Sequence, residues 1–270
     1  MRLPPEPSPP VVFTIAGSDS IAGAGVGMDL KVLAALGVYG VCALTAVTAQ
    51  NSQGVRAIWE VPADSVAAQV DAICEEIRPA AAKTGMLCSE AIVRVVADRL
   101  RRVEIGSYVL DPVIAARDGT PLLSSAGLQA LKERLLPLAR VMTPNLAEAS
   151  ALLGERVRTL EEARAAAAKL GALGCPWVLL KGGHLAGEPV DLLWHDGARQ
   201  ELPGARIPGG PFHGTGCALS AAIAAGLAKG QEPGQAILYA REFLRGLLES
   251  SLAIGKGSRL LNPKLRSETP

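Results

Sequence analysis

From Val11 almost to the end of the chain, short β-branched runs alternate with helical stretches, and this alternation limits the protein to folds built from βαβ units. Strands are predicted over residues 11–16, 41–48, 81–84, 108–110, 140–143 and 177–181, with shorter candidates at 191–194 and 198–202. Helices are predicted over 28–36, 63–77, 89–102, 125–135, 146–153, 160–173, 217–228 and 235–252. The expected fold class is α/β, with a mostly parallel central sheet and helices on both faces. Ligands of such sheets bind outside the carboxyl ends of the strands, so the loops that follow strands carry the argument about function. No break in composition marks a second domain. The expected organisation is a proline-rich tail over 1–10, one domain over 11–255 and a C-terminal tail over 256–270.

Composition narrows the function classes. Of the 270 residues 49% are hydrophobic and 20% charged, enough apolar material for a large core. Lys and Arg number 27 against 26 Asp and Glu, and aromatic residues are only 3%, which argues against nucleic-acid binding by charge or by base stacking. The uncharged stretch 32–55 is interrupted by Gly37, Gly40 and Gln50 to Gln53, so no membrane segment is expected. Five scattered cysteines without a Cys-x-x-Cys pair suit a reducing compartment, and the N-terminal stretch lacks the apolar core of a signal peptide, so a cytoplasmic location is expected. Three dispersed histidines suggest no metal cluster. The P-loop pattern is absent, and Gly23, Gly25 and Gly27 do not have dinucleotide-binding spacing.

The most informative segment is His213-Gly214-Thr215-Gly216-Cys217, directly before a helix of small residues. Two glycines let backbone N–H groups converge, and the helix adds its positive end, so the segment suits a phosphate or a developing anion. Cys217 in the first turn of that helix is expected to have a lowered thiol pKa. A glycine turn capping a buried helix, with Cys217 as a small core residue, accounts for the same residues. The second glycine-rich turn runs from Gly17 to Gly25, where Asp19 or Asp29 would accept hydrogen bonds from a polar ligand, unless Asp29 only solvates a helical turn. The Gln50 amide offers a donor and an acceptor to a heterocycle edge, although Gln50-Asn51 also reads as a polar turn. Asp111 stands at a strand end, where Mg²⁺ or helix capping would use it. Asn145 and Glu148 have capping-box spacing, and Lys181 at another strand end would meet a phosphate or solvent.

The order of these pieces is more specific than any one of them. Thr14 to Asp19, Gly23-Ala24-Gly25, Asp29-Leu30-Lys31, Thr48 to Asn51, Lys83-Thr84-Gly85-Met86-Leu87, Asp111-Pro112-Val113, Thr143 to Leu146, Lys181 to His184 and His213 to Cys217 together resemble the hydroxymethylpyrimidine/phosphomethylpyrimidine kinases of thiamine biosynthesis. These belong to the ribokinase-like superfamily, and the resemblance runs from about Val11 to Leu252. It implies a three-layer αβα fold and ATP-dependent phosphorylation of 4-amino-5-hydroxymethyl-2-methylpyrimidine, then of its monophosphate. It implies a pyrimidine site of Gln50, Gly17, Ala24, Met86 and Val113, with Asp29 near the hydroxymethyl group. It further implies an anion hole of Gly214, Thr215, Gly216 and Cys217, with Cys217 where most of the superfamily has an Asp base. ATP would engage Asn145, Lys181, Asp111 and Glu148, with Mg²⁺ on Asp111 and Glu148, and the protein would be a homodimer.

Three stretches depart from the family pattern. The family reads Ser-Gly-Gly-Gly-Ala-Gly-Ile-Gln-Ala-Asp where this chain has Ser20-Ile21-Ala22-Gly23-Ala24-Gly25-Val26-Gly27-Met28-Asp29. Gly210-Pro211-Phe212 replaces Lys-Asn-Thr before His213, and Ala115 to Gly119, including Arg117, replaces a small polar loop. A pyridoxal kinase or a catalytically weak pyrimidine-binding homologue are the competing readings; a sugar kinase would carry Asp at Cys217.

Overall fold

The computed structural model describes residues 8–264 apart from Glu104, His184 and Ala186. An eight-stranded sheet has the order β10-β9-β8-β7-β6-β5-β1-β2, made of β1 (Val11–Ala16), β2 (Tyr39–Leu44), β5 (Ala81–Thr84), β6 (Tyr108–Leu110), β7 (Val141–Met142), β8 (Trp177–Leu180), β9 (Val190–His195) and β10 (Ala198–Pro203). The strands from β2 to β8 pair in parallel, and β9 and β10 extend that sheet as antiparallel strands.

Residues on successive strand positions face opposite layers. On one face, Phe13, Ile15 and Leu110 pack against α2 (Ala63–Glu76), α3 (Glu90–Arg102), α5 (Leu146–Leu153) and α6 (Leu160–Gly171). On the other, Val12, Ala81 and Val109 pack against α1 (Gly25–Ala35), α7 (Thr215–Ala228) and α8 (Pro233–Glu249). The expected three-layer αβα fold is therefore present. The small side chains of α7 have a packing reason, because residues 218–227 are buried between the sheet, α1 and α8.

The chain winds outward from β1 to β2 and then returns to the other side of β1 with β5. The crevice at this reversal is where the carboxyl-end loops of β1, β5 and β6 converge.

Several local expectations are corrected. The strand predicted over 41–48 breaks at Thr45, whose N–H bonds Ala16 and whose hydroxyl donates to the Met86 carbonyl at 2.6 Å. Beyond it, β3 (Ala46–Asn51) pairs antiparallel with an unpredicted β4 (Gly54–Glu60), forming a hairpin separate from the main sheet. No residue of β4 is fully buried, so it lacks the alternation that would have announced it. α4 (Ser125–Ala130) continues into a π-turn at Leu131–Leu135 where one helix was expected. The C-terminal segment expected as a tail from 256 contains β12 (Arg259–Leu260), paired with β11 (Phe212–His213) just before the anion-hole motif. Residues 1–7 of the expected N-terminal tail lie outside the described residues. Among the described residues no helix is long and apolar enough to cross a membrane.

Candidate active site

A cleft of about 2010 Å³ opens over the carboxyl ends of β1, β5 and β6. Gly17, Ala24, Gln50, Met86 and Val113 line it together with Asp111, Asn145, Glu148, Lys181 and Gly214 to Cys217. Of the predicted site residues, only Asp29 does not reach it.

The two glycine-rich loops interlock at one end. Asp19 accepts N–H bonds from Ile21, Gly23 and Ala24 at 2.9–3.1 Å and lies 2.8 Å from His213 Nε2. Burial works to raise its pKa, but the His213 contact and these N–H bonds win and hold Asp19 below the usual carboxylate range. Gly214 has φ +78°, and a Cβ there would stand 1.8 Å from the Gly23 carbonyl oxygen, so both its conformation and its closeness require glycine. Because the ionised Asp19 accepts, His213 Nε2 carries a proton, and the 3.4 Å contact with Gln50 Nε2 sets two donors side by side. Turning the Gln50 amide over places Oε1 toward His213 and Nε2 toward the Thr48 hydroxyl, whose own proton serves the Ser18 carbonyl at 2.8 Å.

Asp29 is corrected from a cleft residue to a buried one. Thr14 and Lys83 are register partners on β1 and β5, and strand alternation turns both toward α1. There the Asp29 carboxylate meets Lys83 Nζ at 2.8 Å and the Thr14 hydroxyl at 2.6 Å, with both charged side chains 0% exposed. Burial raises the pKa of Asp29, and its Oδ1 has no partner among the described residues. Lys83 stands in the sequence only as one residue of the Lys83 to Leu87 motif. A lysine within the apolar run of a central strand is the available signal that it is buried and paired.

At the other end of the cleft, Asp111 receives hydrogen bonds from Thr143 at 3.0 Å, Ser220 at 3.1 Å and Lys181 at 3.3 Å. Desolvation opposes its ionisation, yet Lys181 and Lys83 keep it below the usual range. Lys181 also stands 3.8 Å from Glu148. Asn145 and Glu148 form a complete capping box on α5, so that bland reading of the pair is correct as local structure. Burial pushes Glu148 up to about 7 against the attraction of Lys181. Ser220 was not singled out from the sequence; its position one turn after Gly216 on α7 places it under Asp111.

Cys217 lies in the first turn of α7, as expected, but its pKa moves the other way. Desolvation, followed by the carboxylates of Asp29 and Asp111, pushes the thiol up to about 11, while Lys83 and the Gly25 N–H pull it down. The positive end of α7 is outweighed by burial and by two carboxylates that come from distant parts of the chain. A Cβ on Gly216 would stand 3.3 Å from Lys181 Nζ and 3.7 Å from Asp111, so the anion-hole turn lies directly beside this charged cluster.

The sequence profile of phosphomethylpyrimidine kinase matches residues 19–262. A hydroxymethylpyrimidine/phosphomethylpyrimidine kinase of Streptomyces coelicolor is 45% identical over 258 residues, covering 95% of this chain and 96% of that one. Among solved structures, Bacillus subtilis pyridoxal kinase in complex with ADP superposes with a TM-score of 0.88 at 36% identity, covering 94% of this chain and 97% of its own. Phosphomethylpyrimidine kinase of Clostridium difficile gives 0.77 at 34% identity over 88% and 98%. The match spans the fold and the cleft together, and the chain is a phosphotransferase of the ribokinase-like type that belongs to the phosphomethylpyrimidine kinase family.

Proposed function

We propose that this protein transfers the γ-phosphoryl group of ATP to the hydroxymethyl oxygen of 4-amino-5-hydroxymethyl-2-methylpyrimidine and then to the resulting monophosphate. The observation that carries this reading is that one cleft holds both halves of the expected site. A ring-sized wall of Gly17, Ala24, Gln50, Met86 and Val113 shares it with the turn Gly214 to Cys217 and with Lys181. Gln50 supplies an amide edge to the aminopyrimidine, and Met86, which underlies Gly17, supplies the apolar floor. The N–H groups of Gly214 to Cys217 at the start of α7 face the transferring phosphoryl group, and Lys181 neutralises charge as it moves toward the leaving oxygen.

Asp111 and Glu148 fit Mg²⁺, which takes one or two carboxylates and completes its octahedron with water and phosphate oxygens. Bound there, Mg²⁺ would neutralise the triphosphate. Phosphoryl transfer through a loose transition state needs positioning and charge neutralisation more than a strong base. Cys217 Sγ takes the acceptor proton in this reading, and because burial pushes its thiol up to about 11, turnover measured against pH is expected to rise through the alkaline range without a plateau by pH 9. The homodimer belongs to the same proposal, supported by the exposed cross-strand pair Val47 and Trp59 on the outer face of the hairpin.

The test is incubation with MgATP and, separately, the pyrimidine alcohol, its monophosphate and pyridoxal, with products read by mass spectrometry. Pyrimidine mono- and diphosphate are expected. Pyridoxal phosphate as the sole product would transfer the assignment to the activity named for the Bacillus subtilis structure. Cys217→Ser is expected to lower turnover by ~10²-fold or more while pyrimidine binding survives.

A further inference from the structure

Two of the stretches in which this chain departs from the family pattern meet over the cleft. Arg117 Nη1 donates to the Phe212 carbonyl at 2.8 Å and lies 3.4 Å from the Ser258 hydroxyl. Phe212 is two residues before Gly214, so the guanidinium is anchored beside the anion-hole turn. Arg117 also lines the cleft on the loop that carries Val113. The contacts to Phe212 and Ser258 both use Nη1, and among the described residues neither Nη2 nor Nε has a hydrogen-bond partner and no carboxylate stands within ion-pair distance of the guanidinium. The adjacent Asp118 is occupied by the N–H groups of Thr120 at 2.9 Å and Val55 at 3.1 Å, which tie the tip of the Gln50 hairpin to the same loop. Arg117 therefore stands between the hairpin that bears Gln50 and the turn that bears Cys217, with a fork of donors free.

The two acceptors of the proposed reaction differ most in charge. The alcohol is neutral, whereas the monophosphate carries about −1.5 to −2 at pH 7. In the second step an oxygen of that phosphate forms the new bond to the γ-phosphorus, the bond from the γ-phosphorus to the bridging oxygen breaks, and ADP leaves with the electron pair. The substrate phosphate must then lie between the ring pocket and the anion-hole turn, next to ATP charge. Lys181, 3.3 Å from Asp111 and 3.8 Å from Glu148, serves the ATP side of the cleft in this reading, so the phosphate of the substrate needs a cation of its own.

We propose that Arg117 is the specificity residue for the second phosphorylation, gripping the phosphomonoester of the monophosphate substrate through its free N–H groups. This rests on the pyrimidine kinase reading. A planar guanidinium held by one nitrogen is preorganised for two parallel bonds to phosphate oxygens, which a mobile side chain would have to be ordered to make.

The test compares kcat/KM for the monophosphate and for the alcohol in wild type, Arg117→Gln, Arg117→Lys and Ser258→Ala. The ratio of the two is expected to fall at least about tenfold in Arg117→Gln, chiefly through KM of the monophosphate, as for the loss of a hydrogen bond to a charged group. Arg117→Lys recovers part of the ratio, and Ser258→Ala leaves it unchanged because the charge remains. An unchanged ratio in Arg117→Gln overturns the proposal, and so does an equal fall in Ser258→Ala, which would assign the effect to the anchoring of the Arg117 loop against Phe212 and Ser258 rather than to the guanidinium. Wild-type protein that phosphorylates neither pyrimidine overturns the underlying reading instead, and the two failures are thereby separate.

Discussion

Two Asp–Lys pairs stand within the same layer of the molecule and differ in what surrounds them. Lys83 and Asp29 are sealed under α1, both side chains 0% exposed, with the Asp29 Oδ1 left without a partner. Lys181 and Asp111 lie at the ends of their strands, with Lys181 17% exposed to the cleft and the side-chain hydrogen bonds to Asp111 coming from two hydroxyls and an ammonium. The same ion pair is a structural commitment in the first place and a usable charge in the second. A sealed charge cannot be left alone, because solvent cannot replace its partner.

Substitutions that remove each ammonium sharpen this contrast and carry the largest expected effects. Lys83→Met leaves the buried Asp29 uncompensated and is expected to destabilise the protein by about 3–5 kcal/mol in urea unfolding. The double variant Asp29→Asn/Lys83→Met recovers most of that loss. Lys181→Met is expected to cost clearly less stability, because Thr143 and Ser220 still serve Asp111 and solvent reaches the cleft, but to lower kcat by ~10²-fold or more. Equal stability losses in the two single variants, or a double variant no more stable than Lys83→Met, would erase the distinction between the pairs.

That distinction was not legible in the sequence. Asp29 and Asp111 each follow a motif, and motif order assigned both to ligands. What separates them is that Thr14 and Lys83 fall side by side on neighbouring strands and face α1, a consequence of sheet register between segments 69 residues apart, since Thr14 pairs with Lys83. The elements with a buried face were legible, because β1 and β6 are largely apolar runs and β5 opens on small apolar residues, each followed directly by glycine or aspartate. β4 and β12 were not, since one covers the cleft without a buried face and the other is two residues long. The residues that motif order assigned to the ring pocket all line the cleft except Asp29, whereas the network that ties His213 to Asp19 was not legible, because 194 residues separate them.

Glu148 offers a smaller test on the open side of the comparison. Its carboxyl is raised from the ordinary 4.5 to about 7 in the folded protein. Between these values the folded state binds a proton that the unfolded state has lost, so stability declines as pH rises through this window and the loss is complete above about 7. Glu148→Gln fixes the neutral form and keeps an acceptor for the Asn145 N–H. It is expected to match wild type at pH 4 and to exceed it at pH 8 by roughly 1–2 kcal/mol. If Glu148 helps to hold Mg²⁺, the same variant needs more Mg²⁺ for half-maximal turnover. No gain at pH 8 would show that Lys181 fully offsets the burial of this carboxylate.

The smallest expected effect probes the sealed side, through the turn from which α1 starts. Ala22 has φ +51°, a conformation that costs a residue with a Cβ ~1 kcal/mol, at a position where the family pattern has glycine. Five residues later the pattern has Gln and this chain has Gly27, where a Cβ would lie 2.9 Å from the Ala22 Cβ. The Ala22 methyl thus occupies space that the missing side chain at Gly27 leaves open. The two departures compensate each other and hold the start of the helix that carries Asp29. Gly27→Gln alone is expected to destabilise by about 1–2 kcal/mol from overpacking, despite the better helix propensity of Gln. Ala22→Gly alone is nearly neutral, since relief of the strained φ is offset by the greater freedom of the unfolded chain. In the double variant the closest contact is removed, leaving the Cα of residue 22 at 3.0 Å to give way, and the helical gain remains, so the cycle should show a favourable coupling of about 0.5 kcal/mol or more. Strict additivity would mean that the turn already yields to a larger side chain, and that α1 is positioned by the Asp29–Lys83 pair without help from Ala22.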